Sequence, residues 1–282
     1  MDFISIVTVN FNDSNGLKKT LESITKQKSF CKSLVQLIVI DGGSNDGSLE
    51  VIHNYKDALS IVLSEPDEGI YDAMNKGLEY CRGTHVLFLN SGDYFCTDNA
   101  LTVLYEQIRI RTDSVIFWPV SVVSDKTSWY YPNVSKLDIP SWLKKHLPNH
   151  QAMLFPRSFY NKNKYDLSIP ISSDADYKIR SLSYNDYFYL DSPLTAFVLG
   201  GVSSKPLGFN RYMLLIRDSN MLNNKHYNGF LLFKTKAVFL LKLTVKLVIS
   251  IFLEVVFITE SCLLLIREDD VILSFICSDL TL

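Results

Sequence analysis

Apolar and polar positions alternate between two regimes over the first hundred residues. Phe3–Asn10 (FISIVTVN) is an apolar, β-branched run that predicts a buried strand. Asn12–Asn15 is polar and suits a turn and helix N-cap, after which Leu17, Leu21 and Ile24 recur at helical spacing. Val35–Ile40 predicts a second buried strand, stopped by Asp41-Gly42-Gly43-Ser44-Asn45-Asp46-Gly47. Leu49, Ile52 and His53 begin another helix, Ser60–Ser64 makes a short third strand, and Ile70–Tyr80 reads as helix. Thr84–Leu89 is a fourth strand, ending at Asn90-Ser91-Gly92-Asp93. Strands alternating with helices predict an α/β fold with a mostly parallel central sheet and helices on both faces. Such sheets bind ligands beyond the carboxyl ends of their strands, where the unusual polar clusters of this chain fall.

From about residue 110 the pattern becomes mixed. Ser114–Val123, Trp129–Tyr131, Tyr187–Leu190 and Thr195–Leu199 read as strands, Pro132–Pro148 holds a short helix, and Tyr177–Leu182 is helix-like. The expected organisation is one domain over residues 1–210, in two halves (1–110 and 111–210), followed by a helical tail (211–282). That tail is apolar between Gly229 and Ile266, yet Lys234, Lys236, Lys242 and Lys246 are spaced through it and its longest charge-free run is the seven residues Leu247–Leu253. A membrane-spanning helix needs about 20 apolar residues, so the readings left are an in-plane basic amphipathic helix and a helix packed on the domain.

Composition narrows the classes further. The net charge of −2 argues against a nucleic-acid or other polyanion binder held by bulk electrostatics. Five cysteines without a CxxC pair fit a reducing cytosol, and the short β-branched N-terminal run reads as a first strand and not a signal peptide. Four acidic sites stand out: Asp41, the Glu65/Asp67/Glu68 group, Asp93, and Asp174/Asp176. Each alone suits a turn or a helix cap. Together, Asp41 and Asp93 end two strands on one sheet edge within Gly/Ser-rich turns, a cleft for a phosphorylated ligand held through a hard divalent cation. No P-loop and no dinucleotide-binding glycine motif is present. His146 and His150 are four apart, but Pro148 between them argues against a helical metal site. Trp129, Tyr130, Tyr131 and Trp142 suit packing better than sugar stacking.

Four segments, SIVTVNFN (5–12), IDGGSNDGS (40–48), EPDEGIYDAMNKG (65–77) and FLNSGD (88–93), resemble inverting family 2 glycosyltransferases of the GT-A fold, in particular those of bacterial exopolysaccharide, capsule and O-antigen synthesis. The likeness continues through His150-Gln151-Ala152, Ser173-Asp174-Ala175-Asp176-Tyr177 and Gly200-Gly201-Val202-Ser203. It implies that Asp41 bonds the nucleotide base, with Thr8, Asn10 and Asn12 walling the same pocket. Asp67, Asn75 and Lys76 would border the ribose and diphosphate, with Ser91 beside them. Asp93 would be the last acid of the metal motif, holding Mg²⁺ or Mn²⁺ on the diphosphate; the motif's first aspartate is missing here. Residues 1–110 would form the nucleotide-sugar-binding half and 111–210 the acceptor-binding half, with His150 and Gln151 on the acceptor or diphosphate side. Asp174 would be the general base, with Asp176 as the alternative. The implied partners are a nucleotide-diphosphate sugar and a polyprenyl-diphosphate-linked saccharide, at the inner face of a bacterial membrane. A nucleotidyltransferase fits less well, lacking a basic phosphate loop after the first strand. A non-catalytic sugar-nucleotide-binding component of an assembly complex is the reading from another class.

Overall fold

The computed structural model describes residues 3–124, 126–132, 138–199 and 209–227, together with six helical positions between 236 and 244. Two sheets carry the chain. The larger takes its centre from β1 (Ile4–Asn10), every residue of which is buried. Its side chains alternate between two cores: Ile4 and Ile6 pack with Leu17, Leu21 and Ile24 on one side, while Val7 and Val9 pack with Tyr71, Met74 and Leu78 on the other.

Around it lie β2 (Val35–Asp41), β3 (Ile61–Ser64) and β4 (His85–Phe88), all parallel to β1. Helix α1 (Ser14–Thr25) covers the first face; Asp13 caps it by accepting from the Gly16 N–H. Next come α2 (Ser48–Asn54) and α3 (Ile70–Tyr80), with α3 covering the second face. Helix α3 lies close on the sheet at Gly77, where a Cβ would stand 2.5 Å from a methyl of Val7.

A two-residue strand, β5 (Tyr94–Phe95), and α4 (Ala100–Ile110) complete the first hundred residues and a little more. Strand-like Ser114–Val123 proves to be two strands, β6 (Val115–Phe117) and β7 (Val120–Val123), in different sheets. The chain leaves the large sheet at Trp118-Pro119. Trp118 is 1% exposed and its indole N–H donates to Thr195 Oγ1 at 2.9 Å, and Pro119 has no N–H to continue a ladder. Then follow β8 (Ser128–Tyr131), α5 (Ile139–Leu143), a 3-10 turn at His150–Ala152, β9 (Met153–Pro156) and α6 (Arg157–Tyr160). Helix α7 (Ser173–Tyr184) starts four residues earlier than its apolar pattern predicts and takes both Asp174 and Asp176 into its first turn. It is followed by β10 (Tyr187–Tyr189), β11 (Thr195–Val198) and α8 (Phe209–His226).

The large sheet runs β10-β6-β9-β4-β1-β2-β3, with β9 antiparallel to both neighbours and the other six strands parallel. The small sheet runs β5-β11-β7-β8. Among the described residues no helix is long and apolar enough to cross a membrane. The Gly200–Ser203 motif and nearly all of the lysine-bearing tail lie outside the described residues.

Candidate active site

The register of the large sheet sets the site. Asn10 pairs with Asp41, and Asp41 with Ser64, so the ends of β1, β2 and β3 form one edge. Asp41 is wholly buried there. Its Oδ1 accepts from Asn10 Nδ2 (2.7 Å) and Ser44 Oγ (2.6 Å), and its Oδ2 from the Ser44 N–H (3.0 Å) and Ser64 Oγ (2.7 Å). Burial pushes its carboxyl upward, but the bonds from Ser44, Ser64 and Asn10 outweigh it and hold the group below the usual range. Asp41 is therefore the hub of the strand tips, and a ligand reaches it only by replacing one of these partners. Asn10 continues the network, accepting from Ser91 Oγ at 2.7 Å. Asn12, at φ 50°, binds the next loop through its N–H to Ser44 Oγ (2.8 Å) and its Oδ1 from the Asn45 N–H (2.9 Å).

Thr8, expected in the pocket wall, and Asn75, expected beside the ribose and diphosphate, are both buried. Thr8 is 0% exposed within β1, so it backs the pocket and does not line it. Asn75 spends its whole amide on Tyr165, donating to the carbonyl (3.0 Å) and accepting from the N–H (2.8 Å), which ties α3 to the loop before α7. Lys76 is on the rim but engaged, with Nζ 2.9 Å from Glu65 and 3.0 Å from the Pro66 carbonyl. Asp67 accepts from the Gly69 N–H and leans over Gly42, where a Cβ would lie 2.5 Å from its Oδ2 and 3.1 Å from Phe11. Glycine at 42 thus lets Asp67 and Phe11 close over the tip of β2. Phe11, an aromatic ring 64% exposed beside two polar loops, was not anticipated. Its signal was present: a large apolar residue flanked by Asn10 and Asn12 just past a strand end.

Asp93 follows β4 and is 4% exposed. It accepts from the Val198 N–H of β11 at 3.0 Å and from the Gln151 side chain, and burial pushes its carboxyl up to about 8. Gln151 thereby stands on the Asp93 side. His150 faces away, its Nε2 paired with Tyr165 Oη at 2.6 Å and its ring 5.1 Å from that of Phe88. Burial lowers its pKa to about 4, so it is neutral at pH 7.

The two aspartates of α7 sit two residues apart and so point to different sides of the helix. Asp176 is 0% exposed and saturated: Arg180 Nε (2.9 Å), Lys225 Nζ (3.0 Å) and His226 Nε2 (2.8 Å) bind it. It ties α7 to α8, and of the two aspartates it is the buried one. Asp174 is 30% exposed along its side chain, 3.1 Å from Tyr71 Oη and 3.0 Å from Lys178 Nζ. Tyr71 belongs to α3, whose N-terminus follows the Asp67 loop directly. The N-terminal end of α3 therefore adjoins both the Asp67 loop and Asp174.

Residues 5–174 match Glycosyl transferase family 2. The chain belongs to this family. An uncharacterized glycosyltransferase of Mycobacterium tuberculosis, Rv1514c, is 29% identical over 212 residues, 71% of this chain and 77% of its own. The PGL/p-HBAD biosynthesis glycosyltransferase of Mycobacterium bovis BCG is 28% identical over 184 residues, 64% and 69% of the two chains. Among solved structures, Staphylococcus aureus TarS 1–349 with UDP-GlcNAc matches with a TM-score of 0.62 at 17% identity, over 79% of this chain. This chain spans just under two thirds of that TarS chain, 66%. The mannosyltransferase PcManGT of Pyrobaculum calidifontis, with GDP-Man and Mn²⁺, matches with a TM-score of 0.54 at 13% identity, over 96% of this chain and 79% of its own. The family 2 chain thus has the GT-A fold, an α/β sheet flanked by helices.

Proposed function

We propose that this family 2 glycosyltransferase moves a sugar, with inversion, from a nucleotide-diphosphate sugar to a hydroxyl of a polyprenyl-linked saccharide in surface polysaccharide synthesis. The observation that carries the reading is the contact of Asp174 with Tyr71, which sets a partly open carboxylate at the end of the helix that borders the Asp67 loop. In this reading Asp174 takes the proton of the acceptor hydroxyl while the acceptor oxygen bonds to the anomeric carbon. The bond from that carbon to the phosphate oxygen breaks, and its electron pair leaves with the nucleoside diphosphate.

On the donor side, the exposed ring of Phe11 offers a stacking surface for the base, beside the Asn10–Asp41–Ser44 network. Asp67 and the rim of α3 border the sugar-diphosphate. Among the described residues no cluster of three or more His, Cys, Asp or Glu would hold a metal alone. The residues do fit Mg²⁺ or Mn²⁺ shared with a substrate: Asp93 is a buried carboxyl pushed up to about 8, the kind of group a cation relieves. Asp93 would hold the ion, and when bound it would neutralise charge developing on the leaving diphosphate. Gln151 orients that carboxyl. The enzyme would work in the cytoplasm, peripheral on the inner face of the membrane, with residues 229–266 as the contact.

The test is nucleoside diphosphate release from UDP-GlcNAc, UDP-glucose, UDP-galactose and GDP-mannose with Mn²⁺ or Mg²⁺, with and without lipid-linked acceptor extract. Release from one donor, reduced at least about a hundredfold in Asp174→Ala, is the expected outcome. A retained anomeric configuration in the product sinks the assignment of Asp174. Donor binding without release across the panel replaces the enzyme by a sugar-nucleotide-binding component.

A further inference from the structure

Lys178 is an unusual residue to find inside this molecule. Its side chain is 2% exposed, one helical turn beyond Asp174, and its Nζ lies 3.0 Å from Asp174 Oδ2. A lysine is almost never this deeply buried unless its charge is matched. Asp174 is the match, and it is the wetter partner, 30% exposed. The pair therefore has a dry cationic end and an open carboxylate end.

The two carboxylate oxygens are held differently. Oδ2 is fixed by the buried ammonium. Among the described residues Oδ1 meets only Tyr71 Oη, at 3.1 Å, and that hydroxyl has one proton and a closer acceptor, the Ile171 carbonyl at 2.6 Å. A phenol gives one hydrogen bond at a time, so the shorter contact takes the proton and Oδ1 stays the least engaged oxygen. The segment entering α7 is fixed independently by Asp218 of α8, which accepts from the Ile171 N–H (2.8 Å) and from Ser172 Oγ.

We infer that Lys178 is a positioning residue for the reaction, pinning Oδ2 of Asp174 so that Oδ1 faces the acceptor hydroxyl as an ionised base. This inference rests on Asp174 being the base. In this arrangement the acceptor proton goes to Oδ1. The other groups around Asp174 do not replace it. Tyr71 and Tyr165 are buried phenols whose pKa values lie well above 10. His150 of the 3-10 turn is neutral above about pH 4, and Asp218 of α8 is a like charge that opposes ionisation. Burial works against its ionised form, yet the Asp174 carboxyl lies below the usual range, held there first by Lys178, with smaller contributions from His150 and Tyr71.

The experiment is the pH profile of kcat/KM from pH 4.5 to 9 for the wild type, Lys178→Met, Lys178→Gln and Lys178→Arg. It uses the donor that turns over in the panel above, with water as the acceptor and nucleoside diphosphate release as the readout. In the Met and Gln variants the acidic limb is expected to move up by about one to three pH units. Their rates approach the wild type near pH 9, donor KM is unchanged, and Arg brings the limb back. A limb that stays in place in a folded Met or Gln variant overturns the inference. So does loss of folding in both, which makes the pair a structural tie. Asp174→Asn is measured beside them. If it still turns over, the base reading itself has failed; if it is dead while the Lys178 limbs stay put, only the role of Lys178 has failed.

Discussion

Asp93 holds its place at a cost to the fold. With its carboxyl pushed up from 3.8 to about 8, the folded chain keeps a proton there at pH 7 that the unfolded chain has released. Stability from this group is complete below pH 4 and is lost as pH rises toward 8. Asp93→Asn keeps an acceptor for the Val198 N–H and removes the titration. It is expected to raise the melting temperature at pH 7.5, without metal or donor, by roughly 3 °C or more while transfer is lost. Calorimetry of the two proteins checks this; an unchanged or lower melting temperature counts against a buried, protonated Asp93. His150 titrates with the opposite sign. Its folded pKa of about 4 lies below the ordinary 6.5, so stability is complete above pH 6.5 and falls as acid protonates the unfolded chain. The advantage of wild type over His150→Asn should narrow by roughly 3 kcal/mol between pH 7 and pH 4, read from urea unfolding at each pH. Neither shift was legible in the sequence, because both come from burial by segments distant in the chain: β11 covers Asp93 from 105 residues on, and Phe88 packs on His150 from 62 residues before it. The burial of Thr8 and Asn75 was hidden from the sequence in the same way. Their identities were right for a polar site, but burial and the backbone of Tyr165 decide where they point.

Elements read well wherever one stretch of chain carries its own pattern. Strands β1 to β4 are apolar runs closed by polar turns, and α1 and α3 show helical spacing with their ends marked. Three elements could not be read so. Strands β6 and β7 form one continuous apolar run, and the break at Trp118-Pro119 follows from an indole that finds Thr195 across the molecule. Strand β9 is four residues with no flanking pattern of its own. Helix α7 begins on serine and aspartate, and its first turn is held by Asp218, which lies 44 residues beyond Asp174 in the chain. At this scale the paired aspartates separate stability from turnover. Asp176→Ala leaves Arg180, Lys225 and His226 facing a buried gap and is expected to cost about 3 kcal/mol in chemical denaturation with donor affinity unchanged. A variant as stable as wild type would mean that the α7–α8 tie contributes little.

At the scale of the whole molecule, the proposed membrane contact can be tested. On α8, Met213 and Leu214 are exposed, as are Leu240 and Leu241 beyond it. The four lysines between 234 and 246 would each add about 1 kcal/mol of attraction to an anionic leaflet if they face it. Flotation with anionic liposomes should be salt-sensitive and should be lost on truncation after residue 228; flotation unchanged by truncation removes the tail from the membrane contact.

Strand β9 has a consequence for how this chain must be made. It fills the gap between β4 and β6, pairing Leu87 with Leu154 and Ile116 with the same residue from the other side. Until residue 156 has left the ribosome, β4 is an open edge of residues that the finished fold buries, the kind that pairs with any other strand it meets. The half of the chain that carries the strand-tip cleft is thus complete in sequence long before it is complete as a surface. A polypeptide stopped at residue 110 would possess Asp41 and Asp93 and still be an unfinished sheet whose ready partner is another copy of itself.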